Sequence, residues 1–335
     1  MNFDKRTILL FVILFSGFML RFYEPVEQGL LYWDEGKYLN EAKLWLGEKN
    51  LTIELEQLSS GEKILPSPTS LKPIFVWFIS IAMLFFGMTS QAGFFVSALF
   101  GFATIVLLYF FCKKFFNKNV ALFASAFLAF DPLQIFLSRR VLSETTSLFF
   151  VLLCIYFYLS YRHDKKLSNF FLTGIFLGMA FGSKESGLLL LPLILGFEIY
   201  YFLKKNFRLM NLAVFLSGFA VSIFAIFLVF AFFGFNYVSV LLARIYMLGF
   251  GKFFITHTFL SGFERYLIVS PESLSGFVQG IFQTFSYYFS FVSIYPALLF
   301  FVFAWIVLVL FKKVKVEKFL LVFCMAWIVS LIVYS

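Results

Sequence analysis

Charged residues are scarce in this chain. Asp, Glu, Lys and Arg together make up 13% of its 335 residues, and hydrophobic residues make up 61%. A soluble domain carries about 25% charged residues, so this composition excludes the soluble protein classes. The mean hydropathy of +0.93 agrees with a chain that lies mostly in lipid. We therefore predict an all-α integral membrane protein that crosses the bilayer several times.

Histidine and cysteine are also rare, with two and three residues in the whole chain. The cysteines Cys112, Cys154 and Cys324 stand in separate apolar stretches, without the spacing of a metal site or an evident disulfide partner. We interpret them as packing residues. His257 stands alone in an aromatic segment. A structural role is the simpler interpretation, and a role as ligand or base is the alternative.

The net charge of +9 does not indicate nucleic-acid binding, because the basic residues are sorted by side of the membrane. Nine apolar stretches are interpreted as spans, and the short loops on one side all carry Lys or Arg, which assigns that side and the N-terminus to the cytoplasm. The predicted spans are residues 7–23, 94–112, 120–136, 145–161, 169–182, 187–203, 209–233, 295–311 and 319–335.

The apolar stretch at residues 75–88 is short for a span, and Gly87 closes it. If this stretch crossed the membrane, Lys113, Lys114 and Lys118 after the next span would face outward, against the distribution expected for basic residues. We therefore predict a re-entrant or surface helix for this stretch.

A polar loop over residues 24–71 holds nine of the 18 acidic residues of the chain. Apolar residues from Tyr38 to Leu46 recur there at helical spacing, which predicts a short amphipathic helix on the membrane surface. Asp34 and Glu35 stand at its start between aromatic residues. Two interpretations stay open: the carboxylates are solvated or cap the helix, or one of them accepts a proton from an attacking hydroxyl.

The second outer loop is predicted to bring further charges to the same side of the membrane. It contains Arg139, Arg140 and Glu144. Carboxylates from the two loops, Asp34 and Glu144, could together hold a divalent cation. The loop therefore supplies candidate partners for the acidic pair of the first loop.

Two lysines at the outer ends of apolar stretches each have two interpretations. Lys184 and Glu185 form a turn pair that neutralises itself, or Lys184 binds an anionic phosphate. Lys72 before Pro73 anchors a surface helix to lipid headgroups, or it binds a substrate phosphate.

These motifs, in this order, resemble the GT-C-fold glycosyltransferases that use polyprenyl-phosphate-linked sugars, most closely protein O-mannosyltransferases and lipid A aminoarabinose transferases. The resemblance covers residues 1 to about 235. Two positions depart from the family pattern, since Ile74 replaces a second proline and Glu144 stands where Asp is commoner. The matching positions are Asp34-Glu35 with Tyr38, Lys72-Pro73-Ile74, Leu108-Tyr109 to Lys114, Ser138-Arg139 with Glu144, and Lys184 followed by residues 187–192.

The resemblance implies an inverting transferase on the non-cytoplasmic face, whose lipid-phosphate sugar donor enters from the bilayer. The implied acceptor hydroxyl belongs to a lipid, a glycan or a protein. Asp34 is the implied general base, and Glu35 supports it. The other implied roles are phosphate binding by Lys72, Arg139, Arg140 and Lys184, and either positioning of Arg139 or cation sharing with Asp34 by Glu144. Tyr38 and, outside the stretch of the resemblance, His257 are candidate supporting residues.

The expected organisation has three parts: a GT-C-like catalytic membrane module at residues 1–235, an outer loop with interfacial helices at 236–294, and two further spans at 295–335 of a shortened architecture. Two other functions fit a membrane protein of this size, a transporter or lipid flippase and a non-catalytic membrane subunit. The predicted spans carry almost no charge at mid-depth, which favours chemistry at the surface over passage through the bilayer.

Overall fold

The computed structural model describes residues 4–23, 30, 33–47, 72–203 and 209–232, all within the compact unit of residues 1–240. His257 and the two predicted parts at 236–294 and 295–335 lie outside this range. The described chain is helical, and its helices are α1 Lys5–Phe22, α2 Trp33–Trp45, α3 Pro73–Phe86, α4 Ser90–Phe115, α5 Lys118–Phe130, α6 Pro132–Ser138, α7 Glu144–Asp164, α8 Leu167–Ser183, the 3₁₀ turn Glu185–Leu189, α9 Leu190–Leu203 and α10 Leu209–Phe232.

Three of these helices, α4, α7 and α10, are long and apolar enough to cross a membrane, and α5 with α6 makes a fourth candidate if the pair is one broken span. The integral membrane class is therefore confirmed. The first predicted span corresponds to α1, an 18-residue helix that carries Arg21 in its last turn. The total of nine spans stays a prediction.

The span predicted over residues 120–136 is not straight, because α5 and α6 meet at a bend of 61°. Pro132 has no N–H to continue the helical ladder. Asp131 accepts a hydrogen bond from the Leu133 N–H at 3.3 Å and caps α6. The sequence Asp131-Pro132 predicts a helix stop, which the structure confirms at the end of α5. The single predicted span is corrected to a bent pair.

Arg21 stabilises this bend from α1. Its guanidinium is fully buried and donates to the carbonyls of Leu128 at 3.0 Å and Ala129 at 3.1 Å. These carbonyls lie in the last turn of α5, where a helix leaves its acceptors without internal partners.

Glycines let α8 and α10 pack with their backbones in contact. A Cβ added at Gly174 would lie 2.1 Å from the Phe215 carbonyl oxygen, and one at Gly182 would lie 2.8 Å from Ile226 Cδ1. Small residues allow this close approach between membrane helices. In these contacts a higher residue number on α8 meets a higher residue number on α10, so the two helices run parallel. Helix α9, which lies between them in the sequence, runs in the opposite direction, as the predicted topology requires.

Helix α3 corresponds to the stretch predicted not to span. It begins beside the end of α8, where Ile74 packs against Gly182, and it ends beside the start of α4, where the rings of Phe86 and Phe95 lie 4.7 Å apart. Both ends of α3 therefore lie at the same end of the helix bundle. This path agrees with a re-entrant or surface helix.

Helix α2 has the apolar face that the spacing predicts, with Leu39, Ala42 and Trp45 buried. The face is covered by protein, since the Tyr38 ring packs edge-to-face on Phe75 of α3 at 5.4 Å. The surface helix is thus docked onto α3.

The bundle has two ends with different polar groups. We call the first the carboxylate end, where α2 meets the starts of α3, α4 and α7 and the end of α8. At the opposite end, Lys114 of α4 donates to Ser160 of α7 at 2.7 Å, and Arg162 of α7 lies 3.4 Å from Glu198 of α9.

Candidate functional site at the carboxylate end

The first turn of α2 directs its two carboxylates to different surroundings. Asp34 is exposed, whereas Glu35 is fully buried. Successive residues of a helix point about 100° apart, so only one of two adjacent acids can face the open side. Asp34 is thus the acid of the pair that a dissolved or membrane-bound substrate can reach.

Glu35 ties α2 to the loop between α6 and α7. Its Oε1 accepts a hydrogen bond from the Val141 N–H at 2.9 Å, and its Oε2 lies 4.0 Å from Arg140 Nη1. Both side chains are at most 1% exposed. The geometry fits a supporting role for Glu35. The assignment of Arg140 to the phosphate site stays a prediction, and in this structure its guanidinium is buried against a carboxylate.

The same loop is packed tightly from a third side by α4. A Cβ added at Gly93 would lie 2.5 Å from Val141 Cγ1 and 3.0 Å from Leu39 Cδ2. Ser97 of α4 donates to the Leu142 carbonyl at 3.3 Å. Only glycine therefore fits where α4, α2 and the loop meet.

The two lysines assigned to phosphate binding pair with glutamates from other elements. Lys184 Nζ lies 3.0 Å from Glu144 Oε1, and Lys72 Nζ pairs with Glu185 Oε2. Lys184 and Glu185 therefore each pair with a residue of another element, which the turn-pair interpretation did not include. Lys184 has extended backbone before the 3₁₀ turn, so consecutive side chains point to opposite sides.

Glu144 holds Lys184 through Oε1, while its Oε2 is buried without a hydrogen-bond partner among the described residues. Its two expected roles, positioning of Arg139 and cation sharing with Asp34, stay predictions. Arg139 follows α6, where its N–H caps the Ile135 carbonyl at 3.1 Å, and its side chain is half-buried.

The Tyr38 phenol lies among these charges. Burial raises its pKa well above 10.0, and the negative charges of Asp34, Glu144, Glu41 and Glu185 raise it further. The phenol is therefore neutral at physiological pH and can donate a hydrogen bond. It makes no hydrogen bond within the described ranges, although the residue is only 7% exposed.

Sequence reasoning missed Glu41, which is 1% exposed beside Tyr38. Its spacing is the signal that could have found it, since Asp34, Tyr38 and Glu41 follow one another at four and three residues and share one face of α2. It also missed three consecutive buried hydroxyls at the start of α7, which lack hydrogen-bond partners among the described residues: Thr145, Thr146 and Ser147.

No group of three or more His, Cys, Asp or Glu side chains that could hold a metal ion occurs among the described residues. A divalent cation shared by the two carboxylates of Asp34 and Glu144 stays a prediction, and in this structure Glu144 is engaged by Lys184.

Part of this site lies in a stretch that matches a protein-family model. Residues 67–233 match the model of the dolichyl-phosphate-mannose-protein mannosyltransferase family, a stretch that includes Lys72, the loop between α6 and α7, and Lys184. No curated protein sequence is significantly similar to the chain.

Solved structures from Archaeoglobus fulgidus and Cupriavidus metallidurans are among those similar to this chain. The oligosaccharyltransferase of Archaeoglobus fulgidus in complex with zinc and sulfate has a TM-score of 0.56 at 20% identity, covering 96% of this chain and 46% of that one. The same organism's AglB, in complex with an inhibitory peptide and a dolichol-phosphate, has a TM-score of 0.49 at 20% identity, covering 84% of this chain and 37% of that one.

A third structure is ArnT from Cupriavidus metallidurans bound to undecaprenyl phosphate, with a TM-score of 0.47 at 15% identity, covering 66% of this chain and 41% of that one. The chain thus spans less than half the length of each solved structure it resembles. The family match over residues 67–233 and the fold shared with the A. fulgidus oligosaccharyltransferase confirm the resemblance to the GT-C polyprenyl-phosphate-dependent glycosyltransferases that the motifs indicated.

Proposed function

We propose that this protein transfers a sugar from a polyprenyl-phosphate-linked donor to an acceptor hydroxyl on the non-cytoplasmic face of the membrane. One observation carries the proposal. The exposed carboxylate of Asp34, the half-buried Arg139 and two lysines from separate helices lie at one end of a bundle that matches a mannosyltransferase family. The solved structures of similar fold with dolichol-phosphate or undecaprenyl phosphate bound support the donor class.

Asp34 acts as the general base in this proposal. Its carboxylate takes the proton of the acceptor hydroxyl as the oxygen forms a bond to the anomeric carbon. The bond between that carbon and the phosphate oxygen breaks, and the polyprenyl phosphate leaves with the electron pair. A single displacement of this kind inverts the anomeric centre, and a positioned base contributes about a hundred- to ten-thousand-fold.

The cations at the carboxylate end stabilise the leaving group. Lys72, Lys184 and Arg139 come from the start of α3, the end of α8 and the loop after α6. Cations held where the phosphate charge develops are a large source of transition-state stabilisation. Glu35 and Arg140 act indirectly, because their buried ion pair fixes the loop that presents Arg139.

The face of the membrane is inferred from the opposite end of the bundle. The ends of α4 and α7 carry Lys113, Lys114, Arg162, Lys165 and Lys166. Basic residues of this kind favour the cytoplasmic side, which leaves the carboxylate end outside. Cysteines introduced at Lys37 and Lys184 should therefore react with a membrane-impermeant reagent from outside, and one at Lys114 from inside. Labelling of Lys184 and Lys114 positions from the same side contradicts the proposal.

The activity is tested with the full chain, purified in detergent. Radiolabelled sugar on a polyprenyl phosphate is supplied with lipid, glycan and peptide acceptors, and product formation is compared between the wild type and Asp34→Asn. Transfer that depends on Asp34 supports the glycosyltransferase. Movement of the intact donor across a vesicle membrane without transfer identifies a flippase, and the absence of both activities identifies a non-catalytic subunit.

In this structure Glu144, one of the two carboxylates considered as cation ligands, is paired with a lysine. The acceptor class and the choice between a hexose and a pentose are left to the same panel of substrates.

A further inference from the structure

We propose that Glu144 and Glu185 compete with the polyprenyl phosphate for Lys184 and Lys72, so that the glutamates hold the lysines in the empty site and recover them when the product leaves. This inference rests on the proposed function, since it concerns the phosphate of the same donor.

The two ion pairs cross between elements. Lys184 at the end of α8 pairs with Glu144 at the start of α7, while Glu185 pairs with Lys72 at the start of α3. Two consecutive residues therefore connect three helices through pairs of opposite polarity. The arrangement places two lysines, each of which can exchange its glutamate for another anion, at the carboxylate end of the bundle.

Both pairs are shielded but reachable. The four side chains are between 8% and 19% exposed, whereas Glu35 and Arg140 beside them are at most 1% exposed. Partial shielding keeps Coulomb attraction strong, and the remaining exposure lets a ligand approach. The pair of Glu35 and Arg140 is thus structural, and the two lysine pairs are suited to exchange.

Glu144 contacts its lysine through only one of its two carboxylate oxygens. Its Oε2 has no hydrogen-bond partner within the described ranges, although it is buried. The neutral phenol of Tyr38 lies within electrostatic range of both Glu144 and Glu185. A donor of this kind can hydrogen-bond a carboxylate whose lysine has moved to the phosphate.

Turnover supplies the reason for such competition. Two unpaired lysines in a shielded site would bind the released polyprenyl phosphate tightly and retain it, because charge-assisted hydrogen bonds to phosphate are strong. Carboxylates that reclaim the lysines weaken this product complex. The glutamates are therefore positioning residues for the phosphate clamp, and their effect should appear in affinity and product release.

The experiment measures binding of a polyprenyl monophosphate, and of the neutral polyprenol of the same chain length, to the full chain in detergent. Glu144→Gln and Glu185→Gln should each bind the phosphate about tenfold more tightly than the wild type, with unchanged polyprenol binding. In the transfer assay both variants should show a lower KM and a lower kcat, as slower product release requires. Phosphate affinity that is unchanged or weaker in both variants overturns the proposal.

Controls separate competition from structural damage. Glu198→Gln alters a matched ion pair with Arg162 at the opposite end and should leave phosphate affinity unchanged. If Glu185→Gln does not fold, Glu185→Asp shortens the reach to Lys72 while keeping the charge, and it should also tighten phosphate binding. No tightening in that variant counts against the proposal.

The parallel assays distinguish this inference from the proposed function. Tighter phosphate binding in the glutamate variants, together with no sugar transfer by the wild type, supports the competition and rejects the transferase. Transfer by the wild type with no tightening in the variants rejects the competition and leaves the transferase standing.

Discussion

The carboxylate end and the opposite end of the bundle use the same chemical unit, an ion pair between two helices, in different surroundings. At the opposite end, Arg162 pairs with Glu198, lies over the Tyr201 ring at 3.3 Å, and shares the glutamate with the Tyr158 hydroxyl at 3.0 Å. This network joins α7 and α9 through aromatic rings. It is suited to holding helices together.

At the carboxylate end, further acidic residues lie near the ion pairs. Asp34 is exposed, Glu41 is buried, and the Tyr38 phenol between them has no hydrogen bond among the described residues. An ion pair that is surrounded by other charges and by donors without hydrogen bonds can change partners. An ion pair that is packed between aromatic rings changes partners only at a large cost in free energy. The comparison indicates that the neighbours of an ion pair decide whether it serves structure or chemistry.

The largest effect is expected for Asp34→Asn, which keeps the size of the side chain and removes its charge. Sugar transfer should fall by about a hundred- to ten-thousand-fold, because the acceptor hydroxyl loses its base. Transfer is measured with radiolabelled donor, and thermal unfolding checks that the variant is folded. Glu198→Gln is the matched change at the opposite end and should retain near-normal transfer. Near-normal transfer by Asp34→Asn removes it as the base.

Glu35→Ala should act on stability. It leaves the guanidinium of Arg140, which is 1% exposed, without its carboxylate. Removing one partner of a buried ion pair costs about 3–5 kcal/mol of unfolding free energy. Denaturant or thermal unfolding in detergent measures the loss. Glu35→Gln keeps an acceptor for the Val141 N–H and should be less damaging; an equal loss in both variants contradicts the hydrogen-bonded role of this side chain.

Lys184→Gln should reduce kcat/KM for the donor by about ten- to a thousand-fold, because one fixed cation at the leaving phosphate is lost. Lys114→Gln is its counterpart at the opposite end, where the lysine side chain is 34% exposed and 4.0 Å from Asp164. That variant should leave kcat/KM nearly unchanged. Equal kinetics in the two variants exclude Lys184 from the phosphate site. Arg139→Ala is expected to resemble Lys184→Gln.

The smallest effect is expected for Tyr38→Phe, and it depends on pH. The raised pKa means that folded Tyr38 keeps its proton above pH 10.0, where the phenol of the unfolded chain loses it. The free energy of unfolding of the wild type therefore falls as the pH rises past that value. Tyr38→Phe has no phenol at this position, so its free energy of unfolding lacks this contribution to the fall. Unfolding temperatures of both proteins from pH 8 to about 11 should diverge only at the alkaline end. Parallel curves contradict the burial of the phenol.

Much of the fold could be predicted from hydropathy and charge alone. The described helices α4, α7, α8 and α10 fall on apolar stretches, since backbone groups in lipid must be satisfied within one helix and this requires a long apolar segment. The helix stop at Asp131 followed from the chemistry of the residue pair with Pro132. The 61° bend after it, and the buried Arg21 that stabilises it, depend on contacts between segments over a hundred residues apart.

The sequence predicted which residues form the candidate site, but it did not predict which of them form ion pairs with one another. Motif order pointed to Asp34, Lys72, Arg139 and Lys184, because polar groups in an apolar chain stand out at the ends of spans. Which cation met which acid depended on the direction of each side chain. For Lys184 that direction was set by the extended backbone before a 3₁₀ turn, a local geometry without a clear sequence signal.

The sequence by itself determined the class of protein, the apolar helices and the charged residues that stand at the ends of apolar stretches, because each of these depends on composition and on spacing along one segment. Only the tertiary structure decided that Glu35 is buried with Arg140, that Glu144 holds Lys184, and that Lys72 holds Glu185. Ion pairs between distant segments depend on how the helices pack and on the few angstroms that separate their charged atoms, and neither quantity is encoded in the order of residues within a single helix.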